Sequence, residues 1–349
     1  MHGRDIERNA LGRSAVEITR LSFGAAALGN LFTAVDPAQA AAAVDAAWDE
    51  GIRYFDTAPH YGLGLSERRL GEALRPRLRD TYVVSTKVGR LLDPVPDVGF
   101  PAADGLSEGF AVRATHRRRW DFSADGVRRS IEDSLGRLGL DRIDIAYLHD
   151  PDDHEEAAFR EAYPALERLR AEGVVGAIGA GMNQTAMLTR FLRDTDVDAV
   201  LCAGRYTLLD HSALTALLPE AAARGRSVVV GGVFNSGLLA DPRPGATYDY
   251  AAAPLRLLDR ALRMKAVVEG YGVPLRAAAL HYPLAHPAVA GVLVGARSPD
   301  EVRDAAALLR AEIPDALWDE LRAEGLLTDE KGDGRREGNR HEAERRERS

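Results

Sequence analysis

The sequence predicts an α/β protein built as a closed (β/α)8 barrel of the TIM type. Three observations lead there: eight short apolar runs, amphipathic helical pattern after most of them, and no shift of composition that would divide the chain. The 349 residues fit one large barrel, since this architecture takes about 250 residues and more with insertions. Apolar residues make up 46% and charged residues 28% of the chain. Both are near globular averages, which excludes a wholly disordered chain.

The apolar runs lie at 21–23, 54–55, 82–85, 143–148, 177–178, 199–202, 227–230 and 289–294. Between the third and fourth, Val127, Ile131, Leu135 and Leu138 recur on one helical face. Ser123 is the expected N-cap there and Gly139 the stop. A second helix is expected over 37–50, with Pro37 at its start and Gly51 just past its end. The surplus length has assigned places. Residues 1–17 are expected to form a hairpin around Leu11 and Gly12 that closes the barrel floor. Residues 89–122 and 235–253 read as long loops on the C-terminal face, after the third and seventh strands. Loops of such length are usually functional or disordered. Residues 328–349 alternate acids and bases with almost no apolar side chain, so a disordered tail is expected there and a single barrel domain over 1–327.

Charge and cysteine narrow the function classes. A net charge of −8 opposes a nucleic-acid partner, which needs a basic face. The single cysteine, Cys202, forms no internal disulfide. No uninterrupted apolar stretch is long enough for a membrane span, and the start, MHGRDIERNALGRS, lacks an apolar signal core. A cytoplasmic protein with a small-molecule substrate is the expectation, and the oligomeric state stays open.

In a βα barrel the ends of the strands point into the mouth of the active site. Three successive runs end in reactive residues: Asp56 in GIRYFDTAPHYG, Lys87 in YVVSTKVG and His149 in DIAYLHDPDD. Tyr61 follows Asp56 by five residues. Singly, each has a bland reading: a helix-capping acid, a surface charge, a packed imidazole, a loop anchor. Lysine, however, is scarce here, with only Lys87, Lys265 and Lys331 among 45 basic residues. A buried ammonium next to a phenol favours phenolate and lowers its pKa. A carboxylate keeps that ammonium charged, and an imidazole orients the substrate oxygen. Tyr61 would then exchange a proton with a carbonyl or alcohol oxygen. No side chain donates hydride, so a nicotinamide cofactor must carry it.

These motifs, with STK after the third run, resemble the aldo-keto reductases over residues 8–325. The resemblance implies a (β/α)8 barrel with NAD(P) extended across its C-terminal face. It implies Tyr61 as general acid–base, Lys87 as its tuner, Asp56 as the partner of Lys87, and His149 as the positioner of the substrate oxygen. The runs DFSADGVRRSIEDSLGRLGLDRIDIAYLHDPDD and CAGRYTLLD are similar to bacterial dehydrogenases of L-fucose-like (D-threo) aldoses and to pyridoxal dehydrogenases. That branch implies oxidation of an anomeric hydroxyl to a lactone.

The cofactor segments are read from the same resemblance. GAAALG at 24–29 lacks dinucleotide-fingerprint spacing. The family's Ser-Asn pair near the nicotinamide becomes Gly181 and Met182, with Asn183 adjacent, and Ala203 replaces a Gln. Pyrophosphate is expected along Gly232, Val233, Phe234, Asn235, Ser236 and Gly237, where backbone approaches phosphate closely. Gly295, Ala296, Arg297, Glu301 and Asp304 are expected around the adenosine. Where NADP-preferring members place an Arg, Glu301 stands, which favours NAD, although Arg297 or Arg303 would serve NADP. Trp120 is the expected wall for a sugar face, His60 a further pocket residue, and the run Arg117, Arg118 and Arg119 a solvated charge cluster.

Rival readings remain. The run His149, Asp150, Asp152, Asp153, His154 suits a metal-dependent hydrolase, but that would not explain Asp56, Tyr61 and Lys87 together, so no metal is expected. A non-catalytic nicotinamide-sensing subunit and a general aldehyde or ketone reductase share the fold.

Overall fold

A computed structural model describes residues 5–96 and 108–328, and in it eight parallel strands close into one barrel. They are β1 (Leu21–Gly24), β2 (Tyr54–Asp56), β3 (Val83–Val88), β4 (Ile143–His149), β5 (Val175–Met182), β6 (Ala199–Ala203), β7 (Ser227–Gly231) and β8 (Val289–Gly295). Each pairs with its neighbour in sequence order, and β8 returns to β1 with Val292 opposite Leu21 and Gly295 opposite Gly24.

The helices begin and end on local chemistry. Helix α1 (Pro37–Asp49) starts with Asp36, whose carboxylate accepts the Ala38 N–H at 2.9 Å, and Pro37 sits where no N–H is needed. Helix α2 spans Leu65–Leu74. Helix α3 (Ala124–Leu138) is capped by Ser123, which accepts the Gly126 N–H at 3.0 Å, and ends on left-handed Gly139. Their apolar faces pack on the outside of the barrel in one continuous core.

The inside of the barrel holds a smaller cluster that includes Tyr54, Ile145, Tyr147, Leu201 and Val229. The floor is closed by a hairpin, Arg8–Ala10 against Glu17–Thr19, which sends Leu11 and Ile18 into that cluster. Strand alternation then decides which side chains reach the mouth. Tyr54 faces inward, so Asp56 does too; Phe55 joins the outer core. Inward Ile145 and Tyr147 put His149 on the same side. Register adds height: Asp56 lies opposite Ser85, and Lys87 opposite Tyr147, so the reactive groups climb from one strand to the next. The stagger of a closed barrel produces such a staircase.

Several sequence expectations are corrected. Strand β5 has eight residues rather than two, because Gly176, Gly179 and Gly181 dilute its apolar pattern. A Cβ on Gly179 would lie 2.1 Å from the Ala199 carbonyl oxygen, so the close approach of β5 and β6 requires glycine. The connection 89–122 is not a plain loop: Arg90–Pro94 and His116–Trp120 form an antiparallel ribbon. Residues 97–107 of it lie outside the described residues, as do 329–349, on which the tail expectation falls. The 235–253 loop contains a 3-10 turn at Asn235–Gly237 and a short ribbon of Thr247–Tyr248 with Ala251–Ala252. Among the described residues, no helix is long and apolar enough to cross a membrane.

Candidate active site

Two cavities open on the C-terminal face and share Ala26, Leu31, Phe32, Asn183, Ala203 and Tyr250 as a common border. The first, of about 800 Å³, lies over the barrel centre and exposes Tyr61, Lys87 and His149 on its walls. Asp56 lies beneath it, 1% exposed.

The four expected residues meet. Lys87 Nζ donates to Asp56 Oδ2 at 2.6 Å, to the Thr57 carbonyl at 3.0 Å and to Tyr61 Oη at 3.1 Å. Tyr61 is placed by a close crossing of the loops after β1 and β2. Gly62, at φ +63°, brings its Cα so near Gly29 that a Cβ would sit 2.2 Å from the Gly29 carbonyl oxygen. The His149 ring stands edge-on to the Tyr61 ring, 5.9 Å between centroids.

Burial and charge compete here. Burial disfavours the Lys87 ammonium, but Asp56 and Tyr61 outweigh it and the amine is raised. Burial pushes the Tyr61 phenol up to about 12, with Lys87 pulling the other way and Asp56 reinforcing burial. The net direction corrects the expectation of a lowered phenol: the ammonium limits the rise without reversing it. Burial and the cations Arg90 and Lys87 hold His149 neutral, well below the usual imidazole range. The same causes, with Arg118, put His60 at about 2. Among the described residues, the buried Nδ1 atoms of His149 and His60 have no hydrogen-bond partner.

Sequence reasoning missed the layer under Asp56. Ser85 donates to Asp56 Oδ1 at 2.6 Å, Tyr54 Oη lies 3.0 Å from Ser85 Oγ, and Tyr147 Oη lies 3.4 Å from Tyr54 Oη. These hydroxyls fix the carboxylate that fixes the lysine. Their inward period-two placement on β2, β3 and β4 was the signal available. Phe110 was also missed. It stacks on Tyr61 at 6.0 Å and meets His60 edge-on at 5.2 Å, but lies in a loop with no periodicity.

His60 and Trp120 both line the first cavity. Trp120 is 44% exposed, stacks on Phe122 and carries the Arg90 guanidinium 4.2 Å above its ring. The arginine run alternates along its strand and is not a uniformly solvated cluster. Arg118 is buried and donates to the His60 carbonyl at 3.1 Å, whereas Arg117 faces outward and Arg119 pairs with Asp93 and Asp121. Of the suspected metal ligands, His154 packs its ring on Trp120 and Phe122. Among the described residues, no three His, Cys, Asp or Glu side chains gather to hold a metal.

The second cavity, of about 650 Å³, runs away from the first between the loops after β7 and β8. Asn183, Ala203, Gly232, Val233, Phe234, Asn235, Ser236, Gly237, Gly295, Ala296, Arg297, Glu301 and Asp304 all line it, while Gly181 and Met182 line the first. Several of these are engaged by the protein itself. Asn235 accepts from Thr207 at 2.7 Å and donates to the Gly204 carbonyl at 3.2 Å, so it builds the groove. Asp304 is paired with Arg276, which sequence reasoning missed. Glu301 turns back to accept the Arg297 backbone N–H at 2.8 Å and lies 3.5 Å from Arg297 Nε, while Arg303 pairs with Asp300.

The family model for the aldo/keto reductase family matches residues 20–342. The chain belongs to that family. A D-threo-aldose 1-dehydrogenase from Pseudomonas sp. is 47% identical to this aldo-keto reductase over 91% of this chain and 97% of its own. A pyridoxal 4-dehydrogenase from Microbacterium luteolum is 41% identical over 94% of this chain and 100% of its own. The structure is similar to an aldo-keto reductase from Bacillus halodurans in its holo form, with TM-score 0.73, 28% identity, and coverage of 93% of this chain and 97% of that one. The protein is thus an oxidoreductase acting on CH–OH groups, of a family that uses a nicotinamide cofactor. The residues present fit such a group: an elongated groove with glycine backbone at 232, 237 and 295 opens at Asn183 and Ala203 onto the Tyr61 cavity.

Proposed function

We propose that this aldo-keto reductase is an NAD-dependent aldose 1-dehydrogenase, oxidising the anomeric hydroxyl of an L-fucose-like sugar to the lactone. The reading is carried by the 3.1 Å contact of Tyr61 Oη with Lys87 Nζ beside the junction of the two cavities. Identity to the Pseudomonas aldose dehydrogenase supports the substrate class.

Residues 232–237 and 295–301 would hold the pyrophosphate and adenosine of the dinucleotide, with Asn183 and Ala203 beside its nicotinamide, and the oxidised cofactor would supply the hydride acceptor there. Tyr61, as phenolate, would take the proton of the C1 hydroxyl while the C1 hydride leaves to the nicotinamide, so the hemiacetal gives up one hydride and one proton, two electrons in all, and becomes the lactone. Lys87 stabilises the phenolate that this requires. Asp56, itself held by Ser85, keeps Lys87 charged and aimed. Neutral His149 hydrogen-bonds the same substrate oxygen and orients it. Trp120, 44% exposed, offers its ring edge to the apolar face of a pyranose, and His60 lines the same cavity. At the adenosine end Glu301 opposes a 2′-phosphate, and Arg297 and Arg276 are already matched with acids, which supports NAD.

The test is a substrate panel. Purified protein is given NAD or NADP with L-fucose, D-arabinose, L-galactose, L-xylose, pyridoxal or simple aldehydes, and nicotinamide absorbance is followed. Reduction of NAD with L-fucose and not with D-glucose is expected. Turnover of pyridoxal alone would overturn the sugar assignment in favour of the chemistry named for the Microbacterium relative.

A further inference from the structure

Resting on the aldose reading, the structure assigns a subsite to the Arg90–Asp150 pair: we propose that it recognises the sugar hydroxyl on the carbon next to the one oxidised. Both residues line the cavity that holds Tyr61 and His149. Asp150 follows the last residue of β4 at φ +42°, a left-handed conformation that Asp tolerates better than most residues. Arg90 Nη2 donates to Asp150 Oδ2 at 2.5 Å. The Arg90 side chain is 12% exposed against the Trp120 ring, and its buried Nε has no hydrogen-bond partner among the described residues. Asp150 is more open, at 38% exposure, and its second carboxylate oxygen faces no donor among the described residues.

A carboxylate acceptor and an aligned guanidinium donor beside an aromatic ring are the groups that hold a sugar hydroxyl, which both donates and accepts. The spacing fixes which hydroxyl. His149 Nε2 lies 3.6 Å from Asp150 Oδ2. A C1 oxygen bound at His149 leaves Asp150 within reach of the groups flanking C1, and of these the C2 hydroxyl, unlike the ring oxygen, can donate to that carboxylate. An aldehyde or alcohol without that neighbouring hydroxyl leaves the pair unsatisfied and is selected against.

The experiment compares L-fucose with 2-deoxy-L-fucose, which share the reacting C1 hydroxyl. In the unaltered enzyme kcat/KM for the 2-deoxy sugar is expected to be lower by about ten- to a hundredfold, the range for a hydrogen bond to a charged group. In Asp150→Ala and Arg90→Gln the ratio should collapse toward one, mainly by loss of activity on L-fucose. A structural role for either residue would depress both sugars together and leave the ratio in place, which overturns the proposal. An unaltered enzyme that oxidises both sugars equally overturns it too, with the aldose reading intact. An enzyme that oxidises no aldose removes the aldose reading itself.

Discussion

Replacing Lys87 by Met tests the charge proposed to tune Tyr61. Lys87 Nζ stands 3.1 Å from Tyr61 Oη, and the phenol sits at about 12 even with that ammonium in place. Unit charges at such a distance interact by about 5 kcal/mol at an effective dielectric of ~20. At about 1.4 kcal/mol per factor of ten, loss of Lys87 disfavours the phenolate by about a thousandfold or more and pushes the phenol further up. The sign follows from the direction of reaction. Oxidation needs the phenolate, so kcat/KM rises with pH toward the phenol pKa, and raising that pKa lowers the rate at any fixed pH below it. A loss of about a thousandfold at neutral pH is expected, less whatever water entering the vacated space returns. Met also leaves Asp56 buried beside no cation, at a cost of about 3–5 kcal/mol in stability. The Asp56→Asn/Lys87→Met double variant removes that penalty and is measured alongside, with a urea midpoint to show that it is folded. The assay is kcat/KM for the best aldose with NAD from pH ~6 to ~10. A folded double variant whose activity stays within about fivefold of Asp56→Asn alone across that range refutes the electrostatic role of Lys87.

Tyr61→Phe should lower turnover by about a hundredfold or more while the nicotinamide dissociation constant, read by fluorescence quenching, stays within a few-fold. His149 is held neutral in the folded protein, so acid stabilises the unfolded chain: the stability it contributes is complete above the unfolded pKa near 6.5 and fades as pH falls. Between pH 7 and pH 5 that is about 2 kcal/mol, and His149→Gln should reduce the pH-dependent loss by that amount in urea titrations at the two pH values. Glu301→Ala should narrow the preference for NAD by about tenfold, seen as a fall in the KM for NADP, because a repelling carboxylate leaves and the Arg297 side chain is freed. An unchanged ratio of the two KM values would place cofactor choice elsewhere.

The amino-acid sequence by itself determined the barrel and the position of its reactive rim. Eight apolar runs separated by capped helices state the fold, and Asp56, Lys87 and His149 fall at strand ends where any such barrel gathers its chemistry. Local signals such as Ser123, Gly139 and Pro37 were legible because caps act through neighbouring backbone alone. Strand β5 was cut short in the sequence because glycines chosen for close strand packing carry no apolar signal. Tertiary structure decided the rest. The net state of Tyr61 depends on how deeply it is buried against how near Lys87 stands, and neither quantity is a property of spacing along the chain. The inward turn of Arg118, the joining of Arg90 to Asp150 across 60 residues, and the closing of Glu301 onto Arg297 likewise arise only when separate loops meet. Periodicity encodes which face is buried; which polar groups then confront one another follows from barrel stagger and loop packing, which are collective properties of the closed fold.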